Sequence, residues 1–406
     1  MNKKVLYISY DGMTDPLGQS QVLPYLAGLS VKGLEFHLIS FEKTEKLASL
    51  GTTIQLICDQ AGIHWHPVKY TKKPPVLSTL WDIAKMYRKA FRLQEEHSFE
   101  VVHCRSYIAA LAGMALKKRR GLKFIFDMRG FWADERVEGN IWKLSNPLMK
   151  QMYKFFKKKE LQFFTNADYI VSLTENGKQE IKSWKIFADK SLRIKVIPCC
   201  VDMELFYPPS IDETARKDLK KRFQLKEDAF VLGYIGSIGT WYMLPEMLDY
   251  FKVLKSCNTK AKFLFVTGEK PSLIHNEALK KEIDIKDILV VSCAHKEVPL
   301  YVSIFDQSVF FIRPTYSKKA SSPTKQGEIM AMGIPVICNA GVGDTDYIVN
   351  HYEAGTIISS FSLESYKEIM ENEKEYDKNK MIRGAQEFFS LDRGVEKYLE
   401  IYEAIL

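Results

Sequence analysis

Apolar residues in this chain fall into short runs, and between the runs lie longer stretches in which apolar positions recur every three or four residues. The runs read as buried strands and the stretches as amphipathic helices. Strands are expected at Val5–Ser9, Phe36–Phe41, Ile63–Pro67, Val101–Cys104, Phe124–Asp127, Tyr169–Leu173 and Arg193–Ile197. A second series is expected at Val231–Ile235, Lys262–Thr267, Ile288–Val291, Ser308–Ile312 and Val336–Cys338. Strand and helix alternate throughout, which predicts an α/β chain with parallel sheets covered on both faces. The first series ends near Pro198-Cys-Cys-Val-Asp202, and a charged helix at about Asp212–Arg222 opens the second. We expect two Rossmann-like doubly wound domains facing across a cleft, residues 1–200 and 201–385, with a helix in 386–406 packing back towards the first. A length of 406 residues suits two such cores better than one.

The densest chemistry lies in Ser321-Ser-Pro-Thr-Lys-Gln-Gly-Glu328. Ser322 suits an N-cap and Pro323 the first helical position, while Gly333 and Pro335 stop the helix before a strand. Free N–H groups at such a start, with Ser322, Thr324 and Lys325 alongside, suit a phosphate. Glu328 lies about one and a half turns further on, where a carboxylate can accept hydrogen bonds from sugar hydroxyls. The competing reading is a capped surface helix in which Glu328 simply pairs with Lys325 at i,i+3.

Ligands of such sheets bind beyond the carboxyl ends of the strands, so the loops there are the other candidates. Gly12 and Gly18 follow the first strand. Gly236, Ser237 and Gly239 follow the first strand of the second series, and glycines three apart allow backbone to approach a phosphate or sugar. Neither loop has the G-x-G-x-x-G spacing of a dinucleotide site. Asp127-Met-Arg-Gly-Phe-Trp-Ala-Asp-Glu-Arg136 places carboxylates and guanidiniums at a strand exit, and His103 and Arg105 lie one strand earlier.

The succession of the Asp-Gly loop, Val-Val-His-Cys-Arg, Phe-Asp-Met-Arg-Gly-Phe-Trp, Val-Ile-Pro-Cys-Cys-Val-Asp, Gly-Tyr-Ile-Gly-Ser-Ile-Gly and Ser-Pro-Thr-Lys-x-Gly-Glu resembles bacterial group-1 retaining glycosyltransferases of family 4, with the GT-B fold. The resemblance implies transfer of a hexosyl or N-acetylhexosaminyl group from a nucleotide-sugar to a glycan or lipid-linked glycan in envelope polysaccharide synthesis. A UDP-sugar is favoured over a GDP-sugar, and neither metal nor further cofactor is expected. By the same resemblance Gly18 matches the second glycine of an acceptor-side loop, His103 a histidine that closes a strand, and Glu328 the glutamate that holds the nucleotide ribose. Two features depart from the pattern. Ala320 stands where the family has a first glutamate facing the transferred sugar, and Gly236–Tyr242 lacks the basic residues that neutralise the pyrophosphate, leaving Arg313, Lys318, Lys319 and Lys325 as substitutes. The first departure keeps open a catalytically silent nucleotide-sugar-binding subunit, and the shared scaffold keeps open a different enzyme such as a sugar-nucleotide epimerase.

Composition adds compartment and surface. Seven cysteines without C-x-x-C spacing, in apolar surroundings, read as reduced packing residues. Asp344-Thr-Asp346 imitates a metal-binding motif but follows a glycine turn and reads as a helix cap. The net charge of +8 suits phosphorylated ligands or an anionic membrane and is too diffuse for nucleic acid. With no spanning apolar run or signal peptide read at the N-terminus, a cytoplasmic protein is expected. Lys150, Lys154, Lys157 and Lys158, with Met152, Phe155, Phe156 and Phe163 roughly opposite, form a basic amphipathic helix that suggests peripheral attachment to the cytoplasmic face of a membrane, helped by Lys117–Arg120.

Overall fold

Strand cores are set by runs whose side chains are buried on both faces. Val5, Leu6 and Ile8 are wholly buried, as are Val101, Val102, Cys104, Phe124, Ile125 and Phe126. A strand covered on both sides must be apolar at every position, which is the pattern of a parallel sheet under helices. The computed structural model describes residues 3–372 and 374–406, in two units.

The first unit runs to Pro198 and also takes in Lys319–Ser321 and Leu391–Leu406. Its strands are β1 (Lys3–Ser9), β2 (Leu34–Glu42), β3 (Ile63–Lys69), β4 (Val101–Arg105), β5 (Lys123–Asp127), β6 (Tyr169–Ser172) and β7 (Ile194–Val196). They form one parallel sheet in the order β3-β2-β1-β4-β5-β6-β7. Order reverses between β1 and β4, so the loops after those strands flank a topological switch point. Edge strand β3 alternates instead, burying Ile63 and Trp65 and turning His64 out.

The second unit holds Cys199–Lys318 and Ser322–Ser390. Its strands β8 (Val231–Ile235), β9 (Lys262–Val266), β10 (Ile288–Val291), β11 (Gln307–Phe310), β12 (Val336–Asn339) and β13 (Gly355–Ile358) form a parallel sheet in the order β10-β9-β8-β11-β12-β13. Its switch point lies between β8 and β11. The sequence pattern misses β13, a short half-buried edge strand opened by Gly355. That glycine has φ +152°, and a Cβ there would stand 1.9 Å from the Val336 carbonyl oxygen, so the residue reads as a turn while serving as a strand start.

The closing helix, Leu391–Ile405, belongs to the first unit. A Cβ on Gly28 would lie 2.7 Å from a Val395 methyl, so the glycine lets this helix approach closely. Tyr398 donates to Asp127 Oδ2 at 3.2 Å, and the Tyr402 hydroxyl lies 2.6 Å from His103 Nδ1. Among the described residues no cysteine is joined in a disulfide, and Cys58, Cys104, Cys199, Cys200 and Cys338 are buried.

Candidate active site

In the second unit the helix Thr324–Ala331 begins one residue later than its sequence suggests. Pro323 takes the cap position and makes no side-chain cap bond. The Ser322 hydroxyl instead accepts the Cys199 N–H at 3.2 Å, so Ser322 ties down the approach to the helix. Thr324 is the first helical residue and is half-buried. Gly333, at φ +69°, ends the helix as expected, and β12 follows.

Lys325 does not pair with Glu328 along the helix. Its amine nitrogen is buried, 3.8 Å from the centre of the Tyr234 ring and 3.6 Å from that of Tyr242, and Nζ has no hydrogen-bond partner among the described residues. Burial holds its pKa well below the ordinary lysine value, and only the neighbouring Glu328 opposes this. Gly236 lies directly alongside, because a Cβ on it would be 3.6 Å from Lys325 Nζ. With φ +92° at Gly236 and +50° at Gly239, the loop takes a course that side chains would resist. Tyr234 fixes its start by donating to the Ser237 carbonyl at 2.7 Å. A buried amine without a hydrogen-bond partner among the described residues, which a bound anion would hold in its charged form, lies under an exposed glycine turn at the end of β8, a place where an anion can enter.

Glu328 is almost fully buried and turns to a residue the sequence reading missed. His295 Nε2, just after β10, lies 3.0 Å from Glu328 Oε1. Its position beyond a strand's carboxyl end is the one sequence signal that could have found it. The Glu328 carboxylate raises the His295 pKa above 6.5, with Asp202 adding to the effect. The ion pair is therefore present below 6.5 and is lost as pH rises through the raised value. In an NMR titration His295 should show a midpoint above 6.5, and Glu328→Gln should bring it down; an unchanged midpoint would mean that Glu328 is not the cause.

The other basic residues divide. Lys318 sits 3.7 Å above the Trp241 ring, and Lys319 pairs with Glu180 at 2.8 Å in the first unit. Arg313 is exposed just beyond β11, where its N–H donates to the Trp241 carbonyl, so its side chain starts beside the loop that opens at Gly236. Asn339 holds this end of the sheet, exchanging hydrogen bonds of 2.7 and 2.9 Å with the Ile312 backbone. Asp344 occupies a helix N-cap position without a side-chain cap bond, and Asp346 accepts the Gly341 N–H at 3.2 Å.

In the first unit the structure corrects the placement of His103. His103 is not at a strand end but midway along β4, buried against Tyr7, Tyr398 and Tyr402. Burial, with Arg105 and Arg129 nearby, pulls its pKa down to about 3, so it packs as a neutral imidazole. Its anchor is testable. Tyr402→Phe leaves buried Nδ1 without its partner and should cost about 1–3 kcal/mol in chemical denaturation; a loss below about 0.5 kcal/mol would show that the bond contributes little. Gly18 is packed against its own loop, where a Cβ would stand 2.3 Å from the Gly12 carbonyl oxygen. The same loop is held by buried Glu42, another residue the sequence did not single out, which accepts the N–H groups of Met13 and Thr14 at 2.7 and 3.1 Å.

Asp127 ends β5 and is wholly buried, accepting Tyr398 and standing 3.9 Å from Arg105 and 3.8 Å from Arg129. Arg105 reaches on to Asp11 at 3.3 Å. Asp127 thus positions two guanidiniums and offers little surface of its own. Ala320 is wholly buried against Gly177, whose Cβ, if present, would stand 2.8 Å from that of Ala320.

The geometry can be compared with known proteins. Residues 25–205 match the Glycosyltransferase Family 4 model and residues 215–387 the model of Glycosyl transferases group 1. No curated protein matches the sequence. Among solved structures, sucrose-phosphate synthase from Thermosynechococcus elongatus is similar at TM-score 0.74 and 14% identity, over 99% of both chains. Anabaena HepE in complex with UDP and glucose is similar at 0.68 and 12%, again over 99% of both. WaaG, a glycosyltransferase involved in lipopolysaccharide biosynthesis, is similar at 0.64 and 15%, over 98% of this chain and 99% of the other. Identities this low speak for fold alone, while the two family matches follow one another along most of the sequence; the chain is a group-1 glycosyltransferase of the GT-B fold, built from a Family 4 domain and a group 1 domain.

Proposed function

We propose that the chain is a retaining glycosyltransferase that moves a hexosyl or N-acetylhexosaminyl group from a UDP-sugar to a glycan or lipid-linked glycan acceptor in bacterial envelope polysaccharide synthesis. The observation that carries this is the buried Lys325 amine, without a hydrogen-bond partner among the described residues, beside the Gly236 turn, with Glu328 one turn along the same helix. The bond from the anomeric carbon to the diphosphate oxygen breaks, a bond to an acceptor hydroxyl oxygen forms, and the hydroxyl proton passes to the departing diphosphate. Charge accumulates on the departing diphosphate, where Lys325, Arg313 and the N–H groups at the start of the helix act. Glu328 holds the ribose. Gly236, Ser237 and Gly239 let backbone approach the phosphates, and Ser322 and Thr324 border them. This division of labour uses no metal. Asp127 sets Arg105 and Arg129 on the acceptor side. HepE, solved with UDP and glucose, supports a uridine donor, and WaaG supports an envelope product.

Ala320, closed into the first unit, favours a second reading, a nucleotide-sugar-binding subunit without turnover. A screen of nucleoside diphosphates and nucleotide-sugars by thermal shift, followed by assay of nucleoside diphosphate release with acceptor, separates them. Release that depends on acceptor supports transfer. Stabilisation without release supports the silent subunit, and isomerised donor an epimerase.

Membrane attachment is part of the proposal, with its face redefined. No helix among the described residues is long and apolar enough to cross a membrane. In the helix Pro147–Asn166, Lys157 turns inward to Asp134 and Glu160, and Phe156 and Phe163 are core residues. Lys117 and Arg120 are likewise engaged, with Asp168 and Glu95. The outward face carries Leu148 and Phe155, both about half exposed, with Lys150, Lys154 and Lys158. Co-flotation with anionic but not neutral vesicles is expected, weakened by Lys154→Glu with Lys158→Glu. Failure to float at low salt would remove the membrane from the proposal.

A further inference from the structure

At the amino ends of β2 and β3, far along the sheet from the strand ends that carry Arg105 and Asp127, three donor atoms converge that the transfer reaction does not use. Glu35 and His37 are two apart on β2 and so share a face, and His64 is the register partner of His37 on β3. Glu35 Oε1 lies 3.5 Å from His37 Nε2 and 3.7 Å from His64 Nε2, and one donor atom from each residue lies within 4.8 Å of the others. A tetrahedral ion with bonds of about 2.1 Å needs its donors about 3.4 Å apart.

Three further observations set this cluster apart from an ordinary charge group. His37 is only 2% exposed, yet its Nε2 has no hydrogen-bond partner among the described residues. Its other nitrogen, Nδ1, lies 3.1 Å from His66 Nε2, the kind of outer contact that fixes the tautomer and orientation of a ligating imidazole. The His37 ring is also held by His97 at 4.1 Å and Phe99 at 5.0 Å between ring centres. Glu35 and His64 both reach solvent, which leaves an entry path and room for water to complete the coordination. Lys4, 3.9 Å from Glu35 and partly exposed, can swing aside.

We propose that Glu35, His37 and His64 form a binding site for a divalent transition-metal ion of the zinc class, which ties β2 to β3 at the sheet edge. Two imidazoles and a carboxylate suit such an ion and not magnesium or calcium, which take oxygen donors. The cluster belongs to the first unit and the proposed donor residues to the second, and the inference does not depend on the reaction assigned above.

Equilibrium dialysis of the full chain against zinc chloride tests it, alongside melting curves with and without zinc. About one equivalent should bind and raise the melting temperature. His64→Gln, at an exposed position that leaves the core intact, and Glu35→Gln should each weaken zinc binding by roughly tenfold or more and remove the thermal shift. His351→Gln, on the other unit, should change neither. Cobalt in place of zinc should give the visible absorption of a tetrahedral site, lost in His64→Gln. No zinc uptake by the parent, or equal uptake by parent and His64→Gln, would overturn the proposal.

Discussion

Glu328→Ala should lower kcat/KM for the nucleotide-sugar by about thirty- to a thousandfold, the equivalent of about 2–4 kcal/mol for a charged hydrogen-bonding partner. The side chain is almost buried, its position is fixed by His295, and the helix carries it one turn beyond Lys325, the residue proposed to meet the diphosphate. A ribose contact is remote from the reacting carbon and is made in ground state and transition state alike, so much of the loss should appear in KM. Glu328→Gln keeps the shape and can still accept a hydrogen bond, and should fall between the two. Because His295 is exposed, losing its partner leaves no buried charge, and the variant should fold normally. Activity within about threefold of the parent would exclude Glu328 from the donor site.

Lys325→Met should nearly abolish turnover and at the same time raise the melting temperature of the free protein. Methionine keeps a flexible chain of similar length between Tyr234 and Tyr242 while removing a buried amine that no described residue hydrogen-bonds. The effect on turnover follows from charge that builds only as the diphosphate leaves, so kcat should fall more than KM changes. Proton uptake gives an independent readout. The lysine pKa is held well below its ordinary value in the free protein, and a diphosphate beside it favours the charged form. Between the lower and the raised value, binding must therefore take up a proton, and affinity must weaken as pH rises. Calorimetry of UDP binding in buffers of different ionisation enthalpy should show this uptake in the parent and less of it in Lys325→Met. Equal uptake in both would show that Lys325 is not the group responsible. If Lys325→Met keeps full turnover while Arg313→Ala loses it, the diphosphate role passes to Arg313.

Both residues were visible in the sequence, but what each does was not. Strand runs, the glycine after Gly236 by three, and the helix stop at Gly333 follow from local rules: apolar period, positive φ and the missing N–H of proline act within a few residues. They determined two α/β domains, their parallel sheets and the Thr324–Ala331 helix. The same rules offered Lys325 a partner at i,i+3, and the fold refused it. Packing placed Tyr234 and Tyr242 around the amine and gave Glu328 to His295, 33 residues earlier in the chain. His103 shows the same limit more sharply. Its strand was legible, but it became a core residue because the closing helix brings Tyr398 and Tyr402 over it from almost 300 residues away. The His37–His64 pair likewise exists only through the register of β2 against β3. A sequence sets which backbone conformations are cheap over short spans, whereas the partner a polar side chain finds, and whether it stays in water at all, depends on which distant segments bury it. Only the tertiary structure decides that.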